Sequence, residues 1–408
     1  MTLISEKTLI PTAAVPVQGT LAVTDKNAHL RVDGYAPGPD DVQVPLALVR
    51  RYGLRSGDHV TGTARPQGRS GPQGHDGSAG RGGSAERGAP AERGGSPGRG
   101  GLPGRGGRNV LATVDSPPRR DRPDFARLTP VHPARRLHLG PGRTGRIIDL
   151  VAPVGKGQRG LIVAPPKAGK TVILQEIAQA ITANHPECHL ILLLVDERPE
   201  EVSDLRRKIP GAELAASTFD RPPAEHVAVA ELAVERAKRL VEQGRDVVIL
   251  LDSLTRLGRA HNLLAPSSSR ILAGGVATTA LYPPKRFFGA ARALAEGGSL
   301  TILATALVET GSRMDEVFFE EFKGTGNMEL RLSRRLADQR LFPAIDLAAS
   351  GTRREDLLLS PVEHDLTTRL RRVLHALDDR QALELLRDKI QETPSNTAFL
   401  AQIAQQTP

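Results

Sequence analysis

Gly160-Leu161-Ile162-Val163-Ala164-Pro165-Pro166-Lys167-Ala168-Gly169-Lys170-Thr171 joins an apolar strand, a loop of small residues ending in Gly-Lys-Thr, and the start of a helical pattern. A nucleoside triphosphate site needs that order. Backbone N–H groups and the helix N-terminus surround phosphate, Lys170 reaches the β- and γ-phosphates, and the Thr171 hydroxyl takes a Mg²⁺ position. Lys167, Ala168 and Gly169 belong to the same cradle, and Val172 opens the helix. The first glycine of the usual pattern is replaced by Ala164, so the reading rests on strand–loop–helix context and on partner motifs elsewhere.

Working outward, apolar runs of strand length alternate with amphipathic segments from about Arg146 to Asp346. Gly160 to Ala164, His189 to Val195, Val247 to Leu251 and Ser299 to Ala306 read as strands. Val172 to Thr182, Ala224 to Gln243 and Arg313 to Phe319 read as helices. The alternation predicts a mostly parallel α/β sheet with helices on both faces. Val247-Val248-Ile249-Leu250-Leu251-Asp252 reads as a continuous apolar strand ending in a carboxylate. Such an Asp also serves as a helix N-cap, but downstream of a Gly-Lys-Thr loop it reads as the Mg²⁺-associated Asp252. A second strand ends in Asp196-Glu197-Arg198-Pro199-Glu200-Glu201, which delivers Glu197 to the sheet edge as the residue orienting an attacking water. Asp196 also fits a capping role before a helix at Glu200 to Lys208. Ser350-Gly351-Thr352-Arg353-Arg354 offers an arginine finger, and periodic segments beyond Ser360 predict a small helical end piece.

The 408 residues are too many for one average domain. A net charge of +9, with Arg dominant, favours a polyanionic partner. Aromatics are only 3% and Trp is absent, which argues against an extended base-stacking platform. One cysteine, Cys188, permits no internal disulfide, and no Cys/His cluster has zinc-ligand spacing. No apolar run reaches membrane-spanning length and no secretory leader pattern opens the chain, so a cytoplasmic protein without membrane partners is expected.

Residues 1–16 read as an N-terminal tail. From 17 to 116, short strands at Thr20 to Val23, His29 to Val32, Asp41 to Val44, His59 to Thr63 and Val110 to Val114 predict a small β-barrel, with a helical turn or two at Pro45 to Tyr52. An insertion over 66–108 interrupts it. That insertion is Gly, Arg, Ser and Pro with almost no apolar surface to offset chain entropy, and is expected to be disordered. Arg-Gly-Gly triplets start at Arg81, Arg93, Arg99 and Arg105, a composition of flexible segments that track nucleic-acid backbones and also of neutral spacers. Residues 117–145 read as a connector, and 146–408 as the ATPase domain with its C-terminal helices.

The chain resembles the transcription termination factor Rho family. The resemblance is carried by Gly157 through Thr171, Val195 through Glu201, Leu251-Asp252-Ser253, and Pro284-Lys285-Arg286-Phe287-Phe288-Gly289-Ala290-Ala291-Arg292. It continues through Glu320 to Leu330 and Phe342-Pro343-Ala344-Ile345-Asp346, and covers the chain from about Val17 to near the C-terminus apart from the insertion. In that family Ala-Pro-Pro-Lys-Ala-Gly-Lys-Thr is the ordinary loop. The resemblance implies a homohexameric ring of RecA-like P-loop ATPase domains, each with an N-terminal OB-fold barrel, hydrolysing ATP with Mg²⁺ at subunit interfaces to move along single-stranded RNA. It implies that Arg353 reaches a neighbour's ATP, that Arg198 is an interface arginine and that Phe342 stacks on adenine. Arg270, Ile271, Gly274 and Gly275 match a first RNA-contacting loop, Arg313 lies in the second, and Lys323 falls in a segment that couples ATP state to both.

The barrel departs from the family. Asn27, His29 and Gln43 stand where aromatics are usual, while Arg31 is kept to contact RNA. Stacking on such rings is worth roughly 1–3 kcal/mol per base, so their loss predicts weaker primary-site binding. With only about sixteen residues ahead of the barrel, the family's small helical domain is expected to be missing. The Arg-Gly-Gly insertion is expected to substitute charge-based capture, which deletion of 66–108 would reveal in the salt dependence of RNA affinity. The expected function is an RNA-dependent ATPase and RNA–DNA helicase acting on the RNA polymerase elongation complex in transcription termination. The alternatives are a diverged RNA-binding ring subunit that does not terminate, and a DNA-directed or rotary RecA-like motor.

Overall fold

The computed structural model describes residues 14–66, 109–119 and 121–406. Residues 1–13 of the expected tail, and the insertion from 67 to 108 with its four Arg-Gly-Gly triplets, lie outside the described residues.

Strands β1 (Val15–Val23), β2 (Ala28–Arg31), β3 (Val42–Gln43), β4 (His59–Pro66) and β5 (Asn109–Val114) close into a barrel in the order β1-β2-β3-β5-β4, with helix α1 (Leu46–Tyr52) between β3 and β4. Side-chain alternation drives the closure: Leu21, Leu30, Val42, Val60, Ala64 and Leu111 all turn inward and are fully buried. Pro66 and Asn109 are paired across β4 and β5, so the insertion leaves and re-enters at one point on the rim. Its near neighbour Val110 pairs with Gln43, which pairs with His29. The two altered base-reading positions therefore lie next to that point.

The stretch expected as a connector is folded onto the motor. A short turn at Phe125–Arg127 buries Phe125 beneath Lys238 and Arg292, whose cations lie 5.8 and 5.1 Å from the ring centroid. Strands β6 (Pro130–Val131) and β7 (Arg136–Leu137) follow, and α2 (Arg143–Val151) begins just before the expected domain start. The Pro- and Arg-rich composition reads as linker because the partners that order it are distant in sequence.

The motor comprises β8 (Val154–Gly155), β9 (Arg159–Ala164), α3 (Lys170–Asn184), β10 (His189–Glu197), α4 (Pro199–Lys208), β11 (Glu213–Thr218), α5 (Pro223–Val241), β12 (Asp246–Asp252), α6 (Leu254–Leu263), α7 (Thr278–Phe288), β13 (Arg292–Leu294), β14 (Ser299–Leu307), α8 (Arg313–Lys323), β15 (Met328–Arg331), α9 (Arg334–Asp338) and β16 (Gly351–Thr352). Helices α10 (Pro361–His375), α11 (Asp379–Gln391) and α12 (Asn396–Gln406) form the expected C-terminal piece. The sheet order is β11-β10-β12-β14-β9-β15-β16, parallel from β11 to β15. Period-two alternation splits each central strand between two cores. Ile162, Leu192, Leu194, Val248 and Leu250 face α2, α3 and the C-terminal helices, while Leu161, Val163, Ile191, Leu193, Ile249 and Leu251 face α5 to α8. Helix α7 has no expectation in the sequence, since Pro283 and Pro284 lie inside it and read as breakers.

Polar contacts bolt the barrel to the motor. Arg55 donates to Glu242 at 2.9 Å and the Tyr35 hydroxyl donates to Glu213 on β11, while Arg122 from the connector grips Asp58 of the barrel. Gly57, at φ +87°, sits so tightly on α5 that a Cβ there would lie 2.3 Å from the Glu235 carbonyl carbon. Among the described residues no helix is long and apolar enough to cross a membrane.

Candidate functional site

The parallel sheet sends the ends of β9, β10, β12 and β14 to one edge, the edge where ligands bind in open α/β sheets. From β9 comes the phosphate loop, with Lys167 and Gly169 both at positive φ and α3 starting at Lys170. Glu197 closes β10 and Asp252 closes β12. Lys170 Nζ lies 2.5 Å from Asp252 Oδ1 and 3.0 Å from Glu197 Oε1, so one cation bridges two buried carboxylates. Burial opposes the Lys170 charge, but Asp252 and Glu197 more than offset it and raise its pKa. Burial and the neighbouring Asp252 push the Glu197 carboxyl above the usual glutamate range, against the pull of Lys170 and Arg256. A carboxylate with a raised pKa close to a phosphate loop is suited to accept a proton from water.

Several supporting residues escaped the sequence reading. Thr305 on β14 donates to Asp252 Oδ1 at 2.8 Å, the oxygen that Lys170 also uses. Arg256, one turn into α6, places Nη2 3.5 Å from Glu197 and Nη1 3.7 Å from Asp196. Asp196 has a positive φ of 58° and lies 3.9 Å from His226, whose Nδ1 contacts the Ser217 hydroxyl at 2.7 Å. The spacing Asp252-x-x-x-Arg256 was the one available signal, and it becomes legible only once α6 is known to start at Leu254.

Thr171 is half-buried, with Oγ1 3.5 Å from Glu201. Among the described residues no group of three or more His, Cys, Asp or Glu side chains is arranged to hold a metal. A hydroxyl and one carboxylate beside a phosphate cradle still fit Mg²⁺, which takes one or two protein oxygens together with substrate phosphates and water.

On the far side of the loop a cavity of about 660 Å³ is lined by Thr144, Gly169, Val172, Glu176 and Phe342. Phe342 is 42% exposed, and its ring lies 3.6 Å from where a Gly169 Cβ would be. An exposed ring over an apolar hollow beside the phosphate loop suits a flat base.

Arg353 does not approach this site. Met328 pairs both with Thr352 and with Gly160, and the Arg353 N–H donates to the Asn327 carbonyl. That places it at the start of β9, about 15 Å along the strand from the phosphate loop at 3.3 Å per residue. Arg198 caps α4 and is exposed, with no side-chain capping bond.

The two loops assigned to RNA come together. Ile271 and Ala277 form an antiparallel bridge, so the first loop is a small hairpin that exposes Arg270, Ile271 and Gly275. Gly274, at φ +80°, approaches the second loop so closely that a Cβ would lie 2.8 Å from the Arg313 carbonyl oxygen. The Arg313 side chain is exposed at the start of α8. Lys323 is not part of this group. It lies at the other end of α8, about 15 Å away at 1.5 Å per residue, within 3.9 Å of Glu320.

On the barrel Arg31 pairs with Asp41, which also accepts the Gly38 N–H at 2.9 Å. Asn27 is exposed in the β1–β2 turn, where its N–H donates to Thr24 Oγ1 at 3.1 Å, and His29 and Gln43 are half-buried on adjacent strands.

Known proteins share both halves of this arrangement. The ATP synthase alpha/beta family nucleotide-binding domain matches residues 145–352, and the Rho termination factor RNA-binding domain matches 17–75. The motor's fold is also seen in an ATPase of the type III secretion system of pathogenic bacteria, with a TM-score of 0.59 at 22% identity over 73% of this chain and 94% of that one. Transcription termination factor Rho of Streptosporangium roseum is 60% identical over 96% of this chain and 93% of its own length. The Streptomyces lividans protein of that name is 59% identical over 97% of this chain, which spans 52% of it, and the Pseudomonas aeruginosa one is 52% identical over 90% of this chain and 81% of its own. Barrel, connector and motor are thus shared as one continuous unit, and the chain belongs to the transcription termination factor Rho family.

Proposed function

We propose that this chain is an RNA-dependent ATPase that works as a ring hexamer in the cytoplasm, translocating along single-stranded RNA and separating RNA–DNA pairs at the RNA polymerase elongation complex to terminate transcription. The observation that carries this reading is the bridge from Lys170 to Asp252 and Glu197 at the same sheet edge from which the second RNA loop departs.

Phosphoryl transfer depends mainly on positioned charge. An incoming γ-phosphate competes with the two carboxylates for Lys170, which frees Glu197 to orient and deprotonate water. Asp252 stays fixed by Thr305. Thr171 and Asp252 would hold Mg²⁺, which when bound neutralises charge on the β- and γ-phosphates. Phe342 and Val172 receive the adenine. Since Arg353 stands at the opposite end of β9, its charge serves a neighbour's nucleotide, and Arg198 lies on the surface such a neighbour would cover.

Glu197, Lys170 and Asp252 are all present, which favours turnover over a diverged, non-hydrolysing ring subunit. The experiment is ATP turnover with poly-pyrimidine RNA, mixed-sequence RNA and single-stranded DNA. Stimulation by RNA well above DNA supports the proposal. Turnover indifferent to RNA, or a preference for DNA, would refute it.

A further inference from the structure

Between the barrel and the motor lies a cavity of about 440 Å³ that the ATP site does not use. Its barrel wall includes Thr24, Arg31 and Tyr35, and its motor wall includes Lys238 from α5, His261 from α6 and Arg286 from α7. The volume is within the roughly 300–1,000 Å³ typical of small-molecule pockets. We propose that this cavity is a bridging RNA subsite, which takes one nucleotide of single-stranded RNA on its way from the barrel to the first loop, with Arg286 holding the phosphate and His261 facing the base. The proposal rests on the RNA-binding reading above and adds a place that neither the barrel nor the loops supply.

Three observations converge on it. The first is continuity. Arg31, the barrel residue kept for RNA, is itself part of the wall, and α7 runs from Thr278, just past the first loop, to Arg286 at the cavity. One helix therefore spans the gap between the two RNA sites, and its exposed face carries Tyr282 at 66% exposure one turn from Arg286.

The second is charge. Lys238 is paired with Glu235, and Arg31 with Asp41. Among the described residues Arg286 is exposed and makes no ion pair. An exposed guanidinium that shares its wall with the Glu231 carboxyl but forms no ion pair with it is a ready phosphate contact, and its planar fork suits two phosphate oxygens.

The third is the character of the interior. His261 is half-buried, and burial first, then the Arg286 charge, lower its pKa to about 4, so at neutral pH the ring is uncharged. A neutral imidazole offers one donor and one acceptor, which can serve a base edge. Glu231 on the same wall has a raised pKa, from burial that Arg286 partly opposes.

The test uses the full chain and fluorescent single-stranded RNA, with affinity measured across a range of salt. Arg286→Glu should weaken binding about tenfold and reduce the salt slope by about 0.7, the share of one phosphate on a single strand. Arg286→Lys should keep the slope, and ATP binding should be unaffected in both variants. His261→Ala should abolish photo-crosslinks from thiouridine RNA to the α6–α7 wall while crosslinks to the first loop persist. Unchanged affinity and slope in Arg286→Glu, with wild-type RNA binding intact, would overturn the bridging subsite and leave the RNA reading standing. A wild-type chain that bound no RNA would remove both.

Discussion

Arg259 holds Asp315 with two charge-assisted hydrogen bonds, Nε at 2.8 Å and Nη2 at 2.5 Å, and Asp315 in turn accepts from Thr310 in the loop between β14 and α8, the second of the two loops proposed to contact RNA, at 2.6 Å. Arg259 is one of three residues on a single face of α6. Arg256 touches Glu197, Arg259 reaches the second loop through Asp315, and Asn262 holds the first loop by Gly275 O at 3.1 Å and Ala277 N at 2.8 Å. Helix α6 therefore offers a continuous path by which a shift at Glu197 would reach both loops.

Asp315→Ala should therefore uncouple the ends of this rod. Coupling energies between sites are commonly about 1–3 kcal/mol, or roughly 5- to 150-fold, so RNA stimulation of ATP turnover should fall by about an order of magnitude with ATP affinity little changed. The ratio of RNA-stimulated to unstimulated turnover measures it. A preserved ratio would place the coupling elsewhere.

Glu197→Gln should lower turnover by about 10²–10⁴ while sparing nucleotide binding, the usual range for loss of a general base. The raised pKa sets the pH dependence. A general base works deprotonated, so if Glu197 has that role turnover should fall as acid protonates it, and that limb should lie above the usual value of about 4.3 for glutamate. A kcat profile flat down to that value would contradict the assignment.

The proposed trans role of Arg353 has a sharp test. Arg353→Ala and Glu197→Gln should each be inactive alone, the first by about 10³–10⁵ if Arg353 is a true finger. Mixed rings would contain interfaces with an intact Glu197 on one side and an intact Arg353 on the other. Activity should return on mixing the two proteins, whereas a finger acting within its own subunit would give none.

Glu213 on β11 ties the barrel to the motor by accepting from Tyr35, and within the motor it contacts His189 and Arg236. Burial opposes its charge, but hydrogen bonds from His189 and Tyr35 outweigh that and pull its pKa down to about 2. A depressed carboxylate stabilises the folded state above its unfolded pKa of about 4.3 and loses that contribution as pH falls toward 2. Urea midpoints of wild type and Glu213→Gln should differ at neutral pH and converge between about pH 4 and pH 2. A constant gap would show that the contact contributes nothing through its charge.

Much of this molecule is legible in one dimension. Strand–loop–helix order around Gly169-Lys170-Thr171, the apolar run into Asp252 and the strand ending at Glu197 are local patterns, because backbone hydrogen bonding and side-chain period write themselves into consecutive residues. The barrel strands are readable for the same reason. Folding decided what consecutive residues cannot encode. Lys170, Asp252 and Glu197 meet because three parallel strands end at one edge, and Thr305 and Arg256 join them from a fourth strand and a helix through contacts that no run of consecutive residues encodes. Phe125 looks like linker until Lys238 and Arg292 close over it, and α7 looks broken by Pro283 and Pro284 until packing overrides propensity. Arg353 gains its meaning only from distance. The sequence shows an arginine on a turn, and the sheet register places it about a strand length from its own phosphate loop, a separation that consecutive residues cannot encode.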